Sequence, residues 1–77
     1  MTRVVVYTAP NSEWCEKVKQ FLKENDIRFD EVDLSKEPER IRELEQKSGQ
    51  RGVPVIDVDG VIVVGFDEEK LIKALHL

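Results

Sequence analysis

Four residues carry the chemistry this chain is best equipped for: Ser12-Glu13-Trp14-Cys15. They follow an apolar run, Val4-Val5-Val6-Tyr7, and open a stretch of helical spacing that ends near Glu24. A strand feeding a turn that opens a helix leaves backbone N–H groups free at the helix N-terminus, and such a turn favours anions and thiolates. Ser12 suits the N-cap, where its hydroxyl accepts from a backbone N–H of the first turn. Cys15 then falls at the third helical position. A turn of this kind suits a Cys-x-x-Cys pair, whose first thiol is readily ionised there. Here the first position is serine, so the setting of a dithiol site is present with half of its chemistry. A plain alternative stands beside it: serine is a common N-cap, and a lone cysteine is commonly a small buried hydrophobe.

Composition narrows the partners. Residues 1–77 are expected to form a single domain. With one Cys and one His the chain can form neither an internal disulfide nor a structural zinc site, so no metal is expected. An unpaired cysteine fits a reducing compartment. No apolar run is long enough to cross a membrane, and Met1-Thr2-Arg3 does not open a signal peptide. The expectation is a cytoplasmic monomer with no membrane partner. A net charge of −4, with both signs mixed along the chain, argues against a nucleic-acid surface. Glu and Lys recur at i,i+4 as Glu13/Lys17, Glu43/Lys47 and Glu69/Lys73, an order that supports exposed helices.

The elements that must position Ser12 and Cys15 are legible in order. Residues 3–8 read as a strand, continuously apolar and so covered on both faces in the middle of a sheet. Pro10 ends it. A helix over residues 13–24 places Trp14, Val18, Phe21 and Leu22 at helical spacing, with Cys15, Val18 and Leu22 on one inward stripe. Residues 28–34 read as a second strand whose alternation slips once, as an edge strand or a small bulge tolerates. Pro38 suits the first turn of a second helix, expected to be the most exposed, and Gly49 stops it. Residues 50–54 form a loop. Val55–Val58 and Val61–Val64 flank Asp59-Gly60, a hairpin signature. Asp67 is an N-cap for a last helix carrying Leu71, Ile72 and Leu75 as its apolar stripe. The order is βαβαββα. The first two strands should be parallel through a right-handed crossover. A mixed four-stranded α/β sheet with helices on both faces satisfies every stripe.

Four features in this order resemble the glutaredoxin family over essentially the whole chain: Ser12-x-x-Cys15 after a strand, Arg51-Gly52-Val53-Pro54, the Asp59-Gly60 hairpin, and Val64-Gly65-Phe66-Asp67 before the last helix. "YT…SEWC" resembles the family's "YT…CPxC", "GQRGVP" its "GQRTVP", and "VGFDEE" its "GGxDD". The "GF" form is shared with short redoxins coupled to thioredoxin reductase. The resemblance implies a thioredoxin-like fold and thiol–disulfide exchange. It implies a cis bond before Pro54, leaving the N–H and C=O of Val53 free for an extended peptide such as glutathione. It further implies that Asp67, Gly65 and the Phe66 backbone clamp the γ-glutamyl end, that Arg51 meets the glycine carboxylate, and that Trp14 fills the aromatic position between the two cysteines. No cofactor is bound; glutathione enters as reductant or ligand. The partners implied are glutathione or thioredoxin reductase and disulfide-containing proteins.

The departures are as informative. The family's nucleophile is the first cysteine, and that position is Ser12. A serine hydroxyl is not ionised at neutral pH and forms no mixed disulfide. Cys15 matches the resolving cysteine. Glu13 stands where the family has proline, and no lysine precedes the motif. Three readings follow. The first is a disulfide reductase whose nucleophile is exchanged for Ser12, whether native or standing in for cysteine or selenocysteine. The second is a module that binds glutathione or a peptide without turnover, and the third is an interaction domain. Iron–sulfur binding is disfavoured, because monothiol relatives that bind clusters keep the first cysteine.

Overall fold

The computed structural model describes residues 2–77. Its elements run β1 (Val4–Thr8), α1 (Glu13–Glu24), β2 (Asp30–Asp33), α2 (Ile41–Ser48), β3 (Val55–Val58), β4 (Val61–Val64) and α3 (Glu68–Leu75). The four strands form one sheet in the order β2-β1-β3-β4. β1 pairs parallel with β2 and antiparallel with β3, and β3 pairs antiparallel with β4. The βαβαββα order and the mixed sheet therefore stand as expected. Among the described residues no helix is long and apolar enough to cross a membrane.

β1 is apolar throughout because both of its faces are covered. Val4 and Val6 point to one side, with Val18 and Leu22 of α1, Ile56, Val58, Val63, and Leu71 and Leu75 of α3. Val5 and Tyr7 point to the other, with Val32, Val55 and Leu44 of α2. Alternation about a strand thus sorts one run into two cores. The hairpin is closed by Asp59 (φ 49°) and Gly60 (φ 91°), both left-handed, as a tight two-residue turn requires. The Asp57 carboxylate accepts from the Gly60 N–H at 2.7 Å. Asp59 also ties the hairpin to the chain start, accepting from the Arg3 N–H at 2.7 Å and donating its own N–H to the Arg3 carbonyl at 2.9 Å.

Four expectations change. The first strand begins at Val4 rather than at residue 3. The second shortens to Asp30–Asp33, and it carries no slip: Phe29 joins the core of α1 and α3 while Val32 and Leu34 join that of α2, which is plain alternation. The second helix is broken. Asp33 accepts from the Ser35 N–H at 2.9 Å and its hydroxyl at 2.6 Å, Pro38–Arg40 make a single 3-10 turn, and α2 proper starts at Ile41. Lastly, Ile72 leaves the apolar stripe of α3; it is 38% exposed while Leu71 and Leu75 are buried.

Candidate functional site

The turn between β1 and α1 is braced from beneath. Thr8 ends β1 fully buried and donates its hydroxyl to Glu31 Oε2 at 2.7 Å. Lys19 of α1 reaches the same carboxylate at 3.2 Å and Glu16 at 3.1 Å. The Thr8 hydroxyl and the Lys19 ammonium hold the Glu31 carboxyl below its ordinary range, against the opposing pull of burial. β1, β2 and α1 are thereby pinned together next to the turn. Asn11 enters it at φ 60°, a left-handed conformation that asparagine tolerates well.

Ser12 is the N-cap of α1, extended at φ −103° and ψ 114°. Its Oγ accepts from the Cys15 N–H at 3.3 Å, and its carbonyl accepts from the Glu16 N–H at 3.2 Å. Cys15 is only 1% exposed and heads the buried stripe with Val18 and Leu22. Trp14 is 55% exposed, so its helical spacing with Val18, Phe21 and Leu22 does not bury it. Its ring lies 6.5 Å from Phe66, which in turn meets Phe21 edge-on at 5.9 Å. Lys17 Nζ stands 4.3 Å above the Trp14 centroid, so of the expected Glu–Lys pairs this lysine is drawn to a ring instead.

A shallow groove of about 340 Å³ runs beside this helix end, lined by Trp14, Val53, Pro54, Val64, Gly65, Phe66 and Asp67. The Val53–Pro54 bond is cis. The Pro54 carbonyl accepts from the Gly65 N–H at 2.8 Å, and Gly65 adopts φ 76°, so the two loops that form the groove are joined directly. Asp67 caps α3, its Oδ1 accepting from the Lys70 N–H at 3.2 Å. The other carboxylate oxygen lies 4.0 Å from Lys70 Nζ. Six of the residues singled out in the sequence, Trp14, Val53, Pro54, Gly65, Phe66 and Asp67, thus share one cavity. Ser12 and Arg51 are not in its lining. Arg51 is instead exposed and paired through Nε with Glu45 at 2.9 Å. Val64 lines the groove as well; the sequence placed it in the Val64-Gly65-Phe66-Asp67 motif but not among the expected contacts. The Thr8–Glu31–Lys19 brace escaped notice, because nothing local marks three residues from three elements as neighbours.

The groove offers an apolar wall, one carboxylate and an exposed helix N-terminus. It can seat an extended chain against Trp14 in the first turn of α1. The described residues offer it no accessible thiol.

Residues 4–63 match the protein-family model described as Glutaredoxin. A glutaredoxin-like 8.6 kDa protein in the rubredoxin operon of Clostridium pasteurianum is 36% identical over 73 residues, 95% of this chain and 97% of that protein. The glutaredoxin-like protein NrdH of Lactococcus lactis is 36% identical over 70 residues, 91% of this chain and 96% of its own length. Among solved structures, the glutaredoxin of Archaeoglobus fulgidus superposes with a TM-score of 0.90 at 26% identity, covering all of this chain and 89% of that one. The thioredoxin-like protein BC3987 does so with 0.86 at 33% identity, covering 94% and 99%. The fold is thioredoxin-like.

Proposed function

The chain belongs to the glutaredoxin family, and on that premise we propose that it is a thiol–disulfide exchange scaffold that keeps its docking groove and, with Ser12 at the nucleophile position, lacks the exposed thiol that turnover needs. The observation that carries this is the placement of Cys15, 1% exposed beneath its own N-cap. A buried sulfur cannot approach a substrate disulfide in line, and the Ser12 hydroxyl stays protonated.

As the chain stands, it docks an extended cysteinyl peptide along Val53, with apolar contact to Trp14 and Phe66 and with Asp67 facing an ammonium. Glutathione fits that chemistry weakly. Asp67 suits the γ-glutamyl ammonium, but Arg51 pairs with Glu45 outside the groove and leaves the glycine carboxylate without a cation. Cysteine-containing proteins are therefore the favoured occupants, with glutathione or thioredoxin reductase as the donor that reduces the disulfide form of a chain carrying both cysteines.

In Ser12→Cys, the new thiol sits at a helix N-cap, where backbone N–H groups favour its thiolate. That thiolate attacks one sulfur of a mixed disulfide. An S–S bond forms to the protein, the substrate S–S bond breaks, and the departing thiolate takes a proton. The Cys15 thiol, deprotonated, then attacks the new bond and releases the second thiol, leaving an intramolecular disulfide. Two electrons have passed to the substrate, and the donor returns them.

The test compares the given chain, Ser12→Cys, and Ser12→Cys with Cys15→Ser in the reduction of a small mixed disulfide, with either donor. The given chain is expected to be silent and Ser12→Cys active. Activity in the given chain makes Cys15 the nucleophile and overturns the assignment. A folded Ser12→Cys chain silent with both donors favours a binding module without redox turnover.

A further inference from the structure

The two outer strands of the sheet are unlike. β2 carries Asp30, Glu31 and Asp33, charges that discourage a further strand from pairing there. β4 is Val61-Ile62-Val63-Val64, with no charge and no proline, and Val61 and Val64 are 54% and 50% exposed. Its ladder runs to β3 alone, so among the described residues the backbone groups on its outer side have no strand partner. Beside that edge, between β4 and α3, lies a cavity of about 370 Å³. It is lined by Val61, Ile62, Val63 and Ala74 and by Lys70, Lys73 and His76. Lys70 stands 4.0 Å from Asp67, and Lys73 forms no ion pair among the described residues. Two lysines thus stand together beside the free edge of a chain of net charge −4, with Asp67 next to Lys70 and Glu69 one turn before Lys73.

We propose that the outer edge of β4 and the adjoining flank of α3 take an extended acidic segment of a partner protein as a fifth strand. Pairing with the free edge supplies main-chain hydrogen bonds, the usual source of affinity in strand addition. Successive side chains of an added strand point to opposite faces. Those on the α3 side meet Lys70 and Lys73 and call for carboxylates. Those on the other side lie beside Ile62 and Val64 and call for apolar groups. The segment recognised is thus acidic and apolar in alternation, and a basic segment of the same shape is repelled. This surface adjoins the groove at Val64 and needs no thiol at position 12.

The test is titration of the full chain, followed by amide NMR, with the end-blocked peptide Glu-Val-Glu-Thr-Glu-Val and with its counterpart bearing Lys for each Glu. The acidic peptide is expected to shift the amides of Val61–Val64 and residues 70–76, with affinity falling as salt rises. The basic peptide is expected to shift neither. Lys70→Glu combined with Lys73→Glu should weaken binding roughly tenfold or more, since it replaces complementary charge with like charge. No shift in β4 at millimolar acidic peptide overturns the proposal. So does equal binding of the basic peptide, which needs no variant, and so do shifts centred on Val53 and Phe66 instead.

Discussion

The two faces of this sheet are closed by different forces. On the side of α1 and α3, nine buried residues make an apolar core, and those two helices carry the site. On the side of α2 only five residues are buried, and α2 itself contributes Leu44 alone. A polar chain completes that side. The Tyr7 hydroxyl donates to Glu43, and Lys47 Nζ donates to Tyr7 Oη at 2.7 Å. Lys47 also pairs with Asp57 at 2.8 Å, and Arg40 reaches Glu43 at 2.9 Å. Shape holds the helices of the site, and charge geometry orients α2. Apolar packing is indifferent to pH, whereas a hydrogen-bonded ionic chain is not.

The contrast is broken most forcefully by emptying each core in turn. Leu22→Ala should cost about 2–5 kcal/mol, the usual range for a fully buried leucine. Leu44→Ala should fall at the low end of that range and loosen α2 locally. Denaturant unfolding measures both, and native-state hydrogen exchange should show α2 opening in Leu44→Ala with α1 still protected. Equal loss of protection in both helices would mean that the two faces are one cooperative unit.

Cutting the polar chain comes next. Lys47→Met leaves Asp57 half-shielded without its cation and should cost about 1–3 kcal/mol. Tyr7→Phe keeps the ring in its core and should cost about 1 kcal/mol, since Glu43 retains Arg40.

The pH dependence then sharpens the comparison. Burial first, and then the hydrogen bond to Glu43, push Tyr7 above its ordinary value of 10.0. For Lys47 burial pulls downward, but hydrogen bonds to Asp57 and Tyr7 outweigh it and the net shift is up. A raised folded pKa means stability that is present below the unfolded value and lost as pH rises through the folded one. Protection of α2 should therefore fade in alkali, above about pH 10, before that of α1. Arg40 and then Tyr7 hold Glu43 below its ordinary 4.5. That contribution is present above pH 4.5 and lost as pH falls below it. Glu31 behaves alike on the strand next to α1, so acid should loosen both sides. For Lys19 of α1 burial pulls downward, but hydrogen bonds to Glu16 and Glu31 carry it above its ordinary 10.5, so alkali acts there too; α2 leans on both Tyr7 and Lys47 and should yield more. Hydrogen exchange across pH checks this asymmetry.

The smallest effect belongs to the cap. Ser12→Ala removes the acceptor for the Cys15 N–H and should cost about 1 kcal/mol, read from the thermal midpoint.

What was legible in the sequence was local. Asp59-Gly60, Pro10, Gly49, Ser12 and Asp67 announce their turns and caps through their own backbone preferences, and the valine runs announce covered strands. Groove residues were legible through the resemblance to the glutaredoxin family, whose motifs at Val53-Pro54 and Gly65-Phe66-Asp67 flank the same hairpin. What was not legible depends on partners far along the chain. Tyr7 meets Glu43 across 36 positions, which no window of periodicity reports. Arg51 turned to Glu45 because α2 ends beside it. Trp14 and Ile72 fit a helical stripe by spacing, yet each lies at the margin of the arc that the sheet covers.

The central place of β1 has a consequence for assembly. One neighbour, β2, comes from the chain's own first half, and the other, β3, comes from its second. Between these halves the only ladder among the described residues is the antiparallel one joining Val4 with Val58 through to Tyr7 with Val55. The exposed loop at Arg51 and Gly52 is where the halves are tethered. Severed there, the protein becomes two complementary fragments that recognise each other along that ladder and through the cores on its two faces. Its folding then turns bimolecular, with a midpoint that climbs with fragment concentration.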